Sequence, residues 1–258
     1  MRYWQVLLLS IGFCIQINAF TLKRALVASD TNPMYIDFWP LVAKAWKKLG
    51  LQPTLALIAP PDFNVDTTCG DVIRFDPIPG IPTSFQAQVI RLLAPAYFPH
   101  DETVIADIDL IPLPGAKEFL FKSVKKYMNN VFIIYCSAYY GPQERYPMTY
   151  VGGLGSTFKD VFQIGHLDEI PDIIRCWYEL GFGWDTDEVL LYRYCAAWKH
   201  FGKRCIRIPR VVEFRIDRLN WHYNKRRLNY YIDAHLPRPY SEHRQSINKL
   251  ARRAGITI

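Results

Sequence analysis

Thr103-Val104-Ile105-Ala106-Asp107-Ile108-Asp109 is an apolar run that ends on two carboxylates one residue apart. Val and Ile favour a pleated backbone, so the run reads as a strand and the acids as its terminus. In an extended chain residues i and i+2 point the same way, which would aim both carboxylates at one hard cation. Such a cation typically takes one or two carboxylates and completes its shell with water and phosphate oxygens. A solvated turn after a strand uses the same residue types, so the meaning of the pair depends on its surroundings.

Upstream, strand-like and helix-like patterns alternate. Residues 22–29 read as a first strand, and Asp30-Thr31-Asn32-Pro33 offers capping side chains and a Pro suited to a first helical position. The spacing of Trp39, Val42, Trp46 and Leu49 predicts a helix over 34–49, which Pro40 kinks or from which it splits a first turn. Gly50 closes it, residues 53–59 and 72–75 supply two more strands, and a helix over 84–94 precedes the strand bearing the acids. Three β-α units in succession predict an α/β fold with a mostly parallel central sheet flanked by helices. In such sheets ligands bind outside the carboxyl ends of the strands, so Ser29-Asp30 and Asp107-Asp109 are expected to line one crevice. Downstream the pattern loosens: a strand over 131–137, a loop rich in Tyr and Pro, helices over 171–180 and 187–200, then an irregular tail. No Pro/Gly/Ser-rich linker divides the chain, so residues 21–258 are expected to form one domain.

Half of the 258 residues are hydrophobic and 21% are charged, which excludes a disordered chain and allows a large core. The net charge is +7, but residues 199–258 hold fifteen Lys/Arg against four Asp/Glu, so the excess is concentrated there. A segment of that kind wants an anionic partner. The six cysteines show no C-x-x-C spacing, which excludes a zinc ribbon or thioredoxin-like centre and leaves them as buried fillers, with room for one or two bridges. Met1-Arg2, the apolar stretch of residues 6–15 and Ile17-Asn18-Ala19 have the form of a signal peptide or weak anchor over residues 1–20. It falls short of the about twenty apolar residues of a membrane helix. The compartment follows from it: secretory or membrane-associated, with membrane contact through the N-terminus, if it is a signal, and cytoplasmic otherwise.

Three further constellations bear chemistry. Gly183-Trp184-Asp185-Thr186-Asp187-Glu188 enters a helix. Acids there complement the helix dipole; equally, Asp187 or Glu188 could take a proton from an attacking hydroxyl as general base, with Trp184 stacking on a sugar. Ile232-Asp233-Ala234-His235-Leu236-Pro237-Arg238-Pro239-Tyr240 offers an imidazole able to complete a metal site begun by two acids, and a guanidinium fork for phosphate oxygens. Tyr150-Val151-Gly152-Gly153-Leu154-Gly155-Ser156-Thr157 reads as a glycine-rich turn without the Lys-Ser/Thr of a P-loop, suited to close backbone approach to an acceptor sugar.

The acids at 107 and 109, the Trp184 to Glu188 cluster and the late His235 together resemble the GT-A class of nucleotide-sugar glycosyltransferases. More closely they resemble the small single-domain transferases of chlorella-virus type. Four blocks carry that likeness in order: Ala28 to Tyr35, Gln88 to Leu92, Ile105 to Pro112 and Asp233 to Tyr240. The resemblance implies a single Rossmann-like GT-A domain and a metal-dependent hexosyl transfer from a UDP-type donor to a glycan or other hydroxyl acceptor, with inversion. It implies Mn²⁺ or Mg²⁺ held by Asp107, Asp109 and His235. Donor contacts are implied at Ser29, Asp30, Asn32, Arg91, Asp107, Ile108, Asp109 and Arg238, and the base is implied at Asp187, with Glu188 as its alternative.

Two other readings compete. Asp107-Ile108-Asp109-Leu110-Ile111 approximates the opening motif of haloacid-dehalogenase phosphatases, with Ile111 where those carry Thr or Val. The tail, where Trp221, Tyr223, Tyr230 and Tyr231 alternate with Arg and Lys, could hold single-stranded nucleic acid, although no nucleic-acid partner is expected because no defined module matches.

Overall fold

The computed structural model describes residues 21–122, 124, 127, 130–137 and 144–258; the expected signal or anchor over residues 1–20 lies outside them. The chain begins with β1 (Arg24–Asp30), α1 (Pro33–Ile36), α2 (Trp39–Lys48), β2 (Gln52–Ile58), β3 (Asp71–Phe75), α3 (Thr83–Leu93) and β4 (Glu102–Ala106). This is the expected alternation. Asn32 accepts from the Met34 amide and caps α1, and Pro40 opens α2, so the single helix expected over 34–49 is two helices with α1 as the detached turn.

Downstream come β5 (Leu110–Pro112), β6 (Phe132–Ile134), β7 (Tyr150–Leu154), α4 (Gly155–Val161), α5 (Ile170–Glu179) and α6 (Thr186–Ala197). They are followed by α7 (Phe201–Arg204), β8 (Cys205–Arg207), β9 (Arg215–Ile216), β10 (Asp233–His235) and α8 (Tyr240–Arg253). Seven strands form the central sheet in the order β3-β2-β1-β4-β7-β6-β8. β7 runs antiparallel to both neighbours, and the other pairings are parallel.

Alternate strand residues feed two cores. Ala25 and Val27 of β1, Leu55 and Leu57 of β2, and Val104 and Ala106 of β4 face α2 and α8, around the fully buried Trp39 and Trp46. Leu26, Ala56, Ile58 and Ile105 face α3, α4, α5 and α6. This period-two division is the signature of a sheet covered on both sides.

The glycine-rich segment is not a turn. Gly152 and Gly153 lie inside β7, where a Cβ on Gly153 would stand 3.2 Å from the Phe132 ring and 3.3 Å from that of Phe158. Gly155 begins α4, and a Cβ there would sit 2.1 Å from the Phe98 carbonyl oxygen. The glycines admit protein, not sugar. A second sheet, β5-β10-β9, was not foreseen because its strands are two or three residues long. Cys69, Cys136 and Cys195 are buried as expected, but Cys176 is exposed and Cys205 half-buried, and all five described cysteines are free thiols.

Candidate functional site

A cleft of about 650 Å³ opens beyond the carboxyl ends of β1 and β4. Ser29, Asp30, Arg91, Asp107, Ile108, Asp109, Asp187, Glu188, His235 and Arg238 all line it. Asn32, the remaining expected donor contact, is not among the lining residues and spends its side-chain oxygen on the α1 cap.

Asp107 and Asp109 meet by a route other than the expected pleat. β4 ends at Ala106, and Ile108-Asp109 forms a turn closed by a 3.3 Å bond from the Leu110 amide to the Asp107 carbonyl. The second sheet delivers the histidine: β10 pairs antiparallel with β5, setting His235 opposite Leu110, and the Leu236 amide donates to the Asp109 carbonyl at 2.7 Å. One ligand atom each from Asp107, Asp109 and His235 lies within 4.8 Å of the others, and His235 Nε2 stands 3.2 Å from Asp109 Oδ1. The two atoms are within hydrogen-bonding distance, close enough for one cation to be shared between them. Two carboxylates and an imidazole are a donor set that fits a divalent metal ion. On the far side of Asp109, Arg218 Nη1 donates to Oδ2 at 2.9 Å and Arg238 Nε lies 3.4 Å from the same oxygen. Oδ1 is the oxygen left to face His235 and the cleft.

Arg91, on the buried flank of α3, joins the acids of the two constellations. Its guanidinium pairs with Asp107 Oδ1 through one nitrogen and with Asp187 Oδ2 through the other. Burial works to lower the Arg91 pKa, but Asp107 and then Asp187 outweigh it and hold the charge. Burial raises the Asp187 carboxyl above the ordinary carboxylate value, against the pull of Arg91. Gln88, one turn before Arg91, donates to Asp187 Oδ1 at 2.9 Å and to the Trp184 carbonyl. The Glu188 amide donates to Asp187 Oδ1 at 2.9 Å. Asp187 is therefore 1% exposed with both oxygens engaged, whereas the Glu188 side chain is partly exposed, 3.7 Å from Arg145, which itself pairs with Asp185 at 2.6 Å.

Asp30 also has both oxygens occupied, by the Thr83 hydroxyl at 2.8 Å and the Asn32 amide at 3.1 Å. Under the metal trio lies a buried layer. Asp233, raised by burial, stands 3.4 Å from Arg215, and burial followed by the charge of Asp233 drives the Tyr150 hydroxyl well above its usual value.

Gln88, Arg145, Arg215, Arg218 and Asp233 line the cleft and were not singled out as site residues. For Gln88 a signal existed, since it shares a helix face with Arg91 three residues on. Asp233 and His235 likewise share a strand face at spacing two. Arg145, Arg215 and Arg218 carry no local pattern. The aromatics of the tail are largely structural: Trp221, Tyr223 and Tyr231 pack on the core, leaving Tyr230 as the exposed ring.

No family model and no curated protein matches the chain in sequence. Among solved structures it is similar to the galactosyltransferase LgtC in complex with donor and acceptor sugar analogues, with a TM-score of 0.52 at 12% identity, covering 91% of this chain and 96% of that one. An active-site mutant of LgtC gives a TM-score of 0.52 at 12% identity, covering 91% and 97% of the two chains. At such identity the likeness is one of fold. Neither similar structure is a phosphatase, so the haloacid-dehalogenase reading gains no support from them. The chain has the mixed α/β fold of the GT-A glycosyltransferases.

Proposed function

We propose that this chain is a metal-dependent glycosyltransferase of the small single-domain type, moving a hexose from a UDP-type donor to a glycan or other hydroxyl acceptor. The observation that carries the reading is the meeting of Asp107, Asp109 and His235 at the carboxyl edge of a GT-A sheet, with the buried Asp187 linked to Asp107 through Arg91. Asp107, Asp109 and His235 would hold Mn²⁺ or Mg²⁺, which would supply Lewis-acid neutralisation of charge on a departing diphosphate. Arg238 offers its fork to diphosphate oxygens. Ser29 and Asp30, at the end of β1, flank the nucleoside, and the Ile108 backbone closes on it, while Asn32 serves the α1 cap.

The two acids of α6 divide the remaining work. Asp187, enclosed by Arg91, Gln88 and its neighbour's amide, orients the donor sugar and fixes Arg91. Glu188 keeps solvent access beside the exposed Trp184, which is 67% accessible and offers a flat face to an acceptor sugar. A base must reach the proton it removes, and of the two acids named from sequence, Asp187 with Glu188 as its alternative, we assign that role to the more exposed Glu188. Deprotonation of the acceptor hydroxyl by Glu188 leads to a single displacement and an inverted product.

The test is to incubate the full chain with UDP-hexoses, Mn²⁺ and oligosaccharide acceptors, following UDP release by chromatography and the product anomer by proton NMR. Glu188→Gln is expected to abolish transfer and leave UDP–Mn²⁺ binding intact. A folded protein that binds no nucleoside diphosphate in the presence of Mn²⁺ would overturn the transferase reading, and a retained anomeric configuration would overturn the base assignment.

A further inference from the structure

We propose that the edge of the fold opposite the cleft docks on an anionic lipid surface. Lys48, Lys225, Arg226, Arg227, Arg252 and Arg253 are all exposed, and none takes part in an ion pair among the described residues. Contacts join them into one rim. The Gln52 amide donates to the Lys23 carbonyl at 2.9 Å, which sets the end of α2 beside the first residues of β1. The Lys48 amine lies 2.9 Å from where a Cβ of Gly255 would stand, so α8 ends at the same place. Arg253 donates to the Tyr223 hydroxyl at 3.1 Å, which brings in the adjoining segment Lys225–Tyr230.

The acids of this edge do not neutralise the rim. Asp71 and Asp101 flank the buried Arg24, Glu102 takes Lys23 at 3.3 Å, and Asp66 caps its own turn through Thr68 and Cys69. Six exposed cations therefore have no acidic partner among the described residues, and Tyr230 presents an aromatic ring, 65% exposed, beside Arg227. Basic residues attract anionic headgroups, and Tyr favours the interfacial zone of a bilayer.

The path of the chain selects lipid over other polyanions. In sequence the apolar stretch of residues 6–15 precedes Leu22, which stands two residues before β1 begins at Arg24, the end of that strand nearer this rim. Six residues, 16–21, separate Ile15 from Leu22, a span of at most about 25 Å when fully extended. An apolar segment and a basic rim within one linker length form the two-signal combination that stable membrane attachment needs. β1 runs from the rim to the cleft, so docking leaves the cleft facing away from the bilayer, open to soluble donor.

Cosedimentation of the full chain with phosphatidylcholine vesicles, with and without phosphatidylserine, tests this. Each near-surface Lys or Arg adds on the order of fivefold to partitioning onto anionic lipid. Lys225→Glu with Arg226→Glu, and separately Arg252→Glu with Arg253→Glu, are expected to lower binding to serine-containing vesicles by at least about 25-fold. Binding to pure phosphatidylcholine and UDP release should be unchanged. Equal binding of the unmodified chain to both vesicle types would overturn the proposal without recourse to variants. So would variants that bind like the parent. Salt-sensitive binding to oligonucleotides without a preference for anionic vesicles would reassign the rim to nucleic acid.

Discussion

Replacing Arg91 with Met keeps the length of the side chain and removes only its charge and donors, so Arg91→Met isolates what the bridge between Asp107 and Asp187 contributes. Removing one partner of a buried ion pair costs about 3–5 kcal/mol, because the other charge is left uncompensated. Asp187 would retain the Gln88 amide at 2.9 Å and the Glu188 amide at 2.9 Å, and Asp107 is partly open to water. The lower end of that range, about 3 kcal/mol, is therefore expected near neutral pH, a fall of about 6–12 °C in melting midpoint for a chain of this size. The pH dependence has a definite sign. Burial raises the folded-state pKa of Asp187 above its unfolded value, so the folded form binds more protons between the two values and stability falls as pH climbs through that window. Arg91 narrows the window and its loss widens it. The deficit of Arg91→Met should be smallest below the ordinary carboxylate range and should grow with rising pH until the folded pKa is passed. Thermal melts of both proteins from about pH 4 to about pH 8 measure this. The double variant Arg91→Met with Asp187→Asn, which buries no charge at either position, should recover most of the loss at neutral pH. A deficit that does not vary with pH, or a double variant no more stable than Arg91→Met, would refute the reasoning.

His235→Ala should weaken Mn²⁺ binding at least about tenfold, as loss of even an outer-shell partner does, read from the free-Mn²⁺ signal by electron paramagnetic resonance. Gly155→Ala puts a Cβ 2.1 Å from the Phe98 carbonyl oxygen and 2.4 Å from that of Pro95. Overpacking against backbone costs about 1–3 kcal/mol or more, and circular dichroism melts should register a lowered midpoint. Trp184→Ala removes a ring that is 67% exposed, so stability should change by no more than about 0.5 kcal/mol. Acceptor KM should rise roughly tenfold, the ratio for about 1.4 kcal/mol, while donor KM stays constant in initial-rate assays.

The parallel half of the sheet was legible because each of its elements carries its own signal. Residues 22–59 alternate strand and helix patterns over lengths long enough for periodicity to speak, and Pro33, Pro40 and Gly50 mark the boundaries. β7 was misread because Gly-Gly-Leu-Gly is turn chemistry in isolation; only the Phe132 and Phe158 rings against Gly153 make glycine a packing requirement there. β5, β9 and β10 are too short to leave any periodic trace, yet they carry His235 to the acids.

By itself the sequence determined the residue types at the site and the edge of the sheet to which they belong. Strand direction follows from alternating β-α units, and carboxyl ends of parallel strands are where ligands sit. How deeply each acid is enclosed was a matter for tertiary structure alone. Asp187 and Glu188 are neighbours in the chain and both line the cleft, but Arg91 and Gln88 from α3 bury the first and leave the second partly exposed. Partners almost a hundred residues away in sequence leave no local pattern, because their proximity is produced by packing of α3 against α6 and not by anything either helix encodes alone.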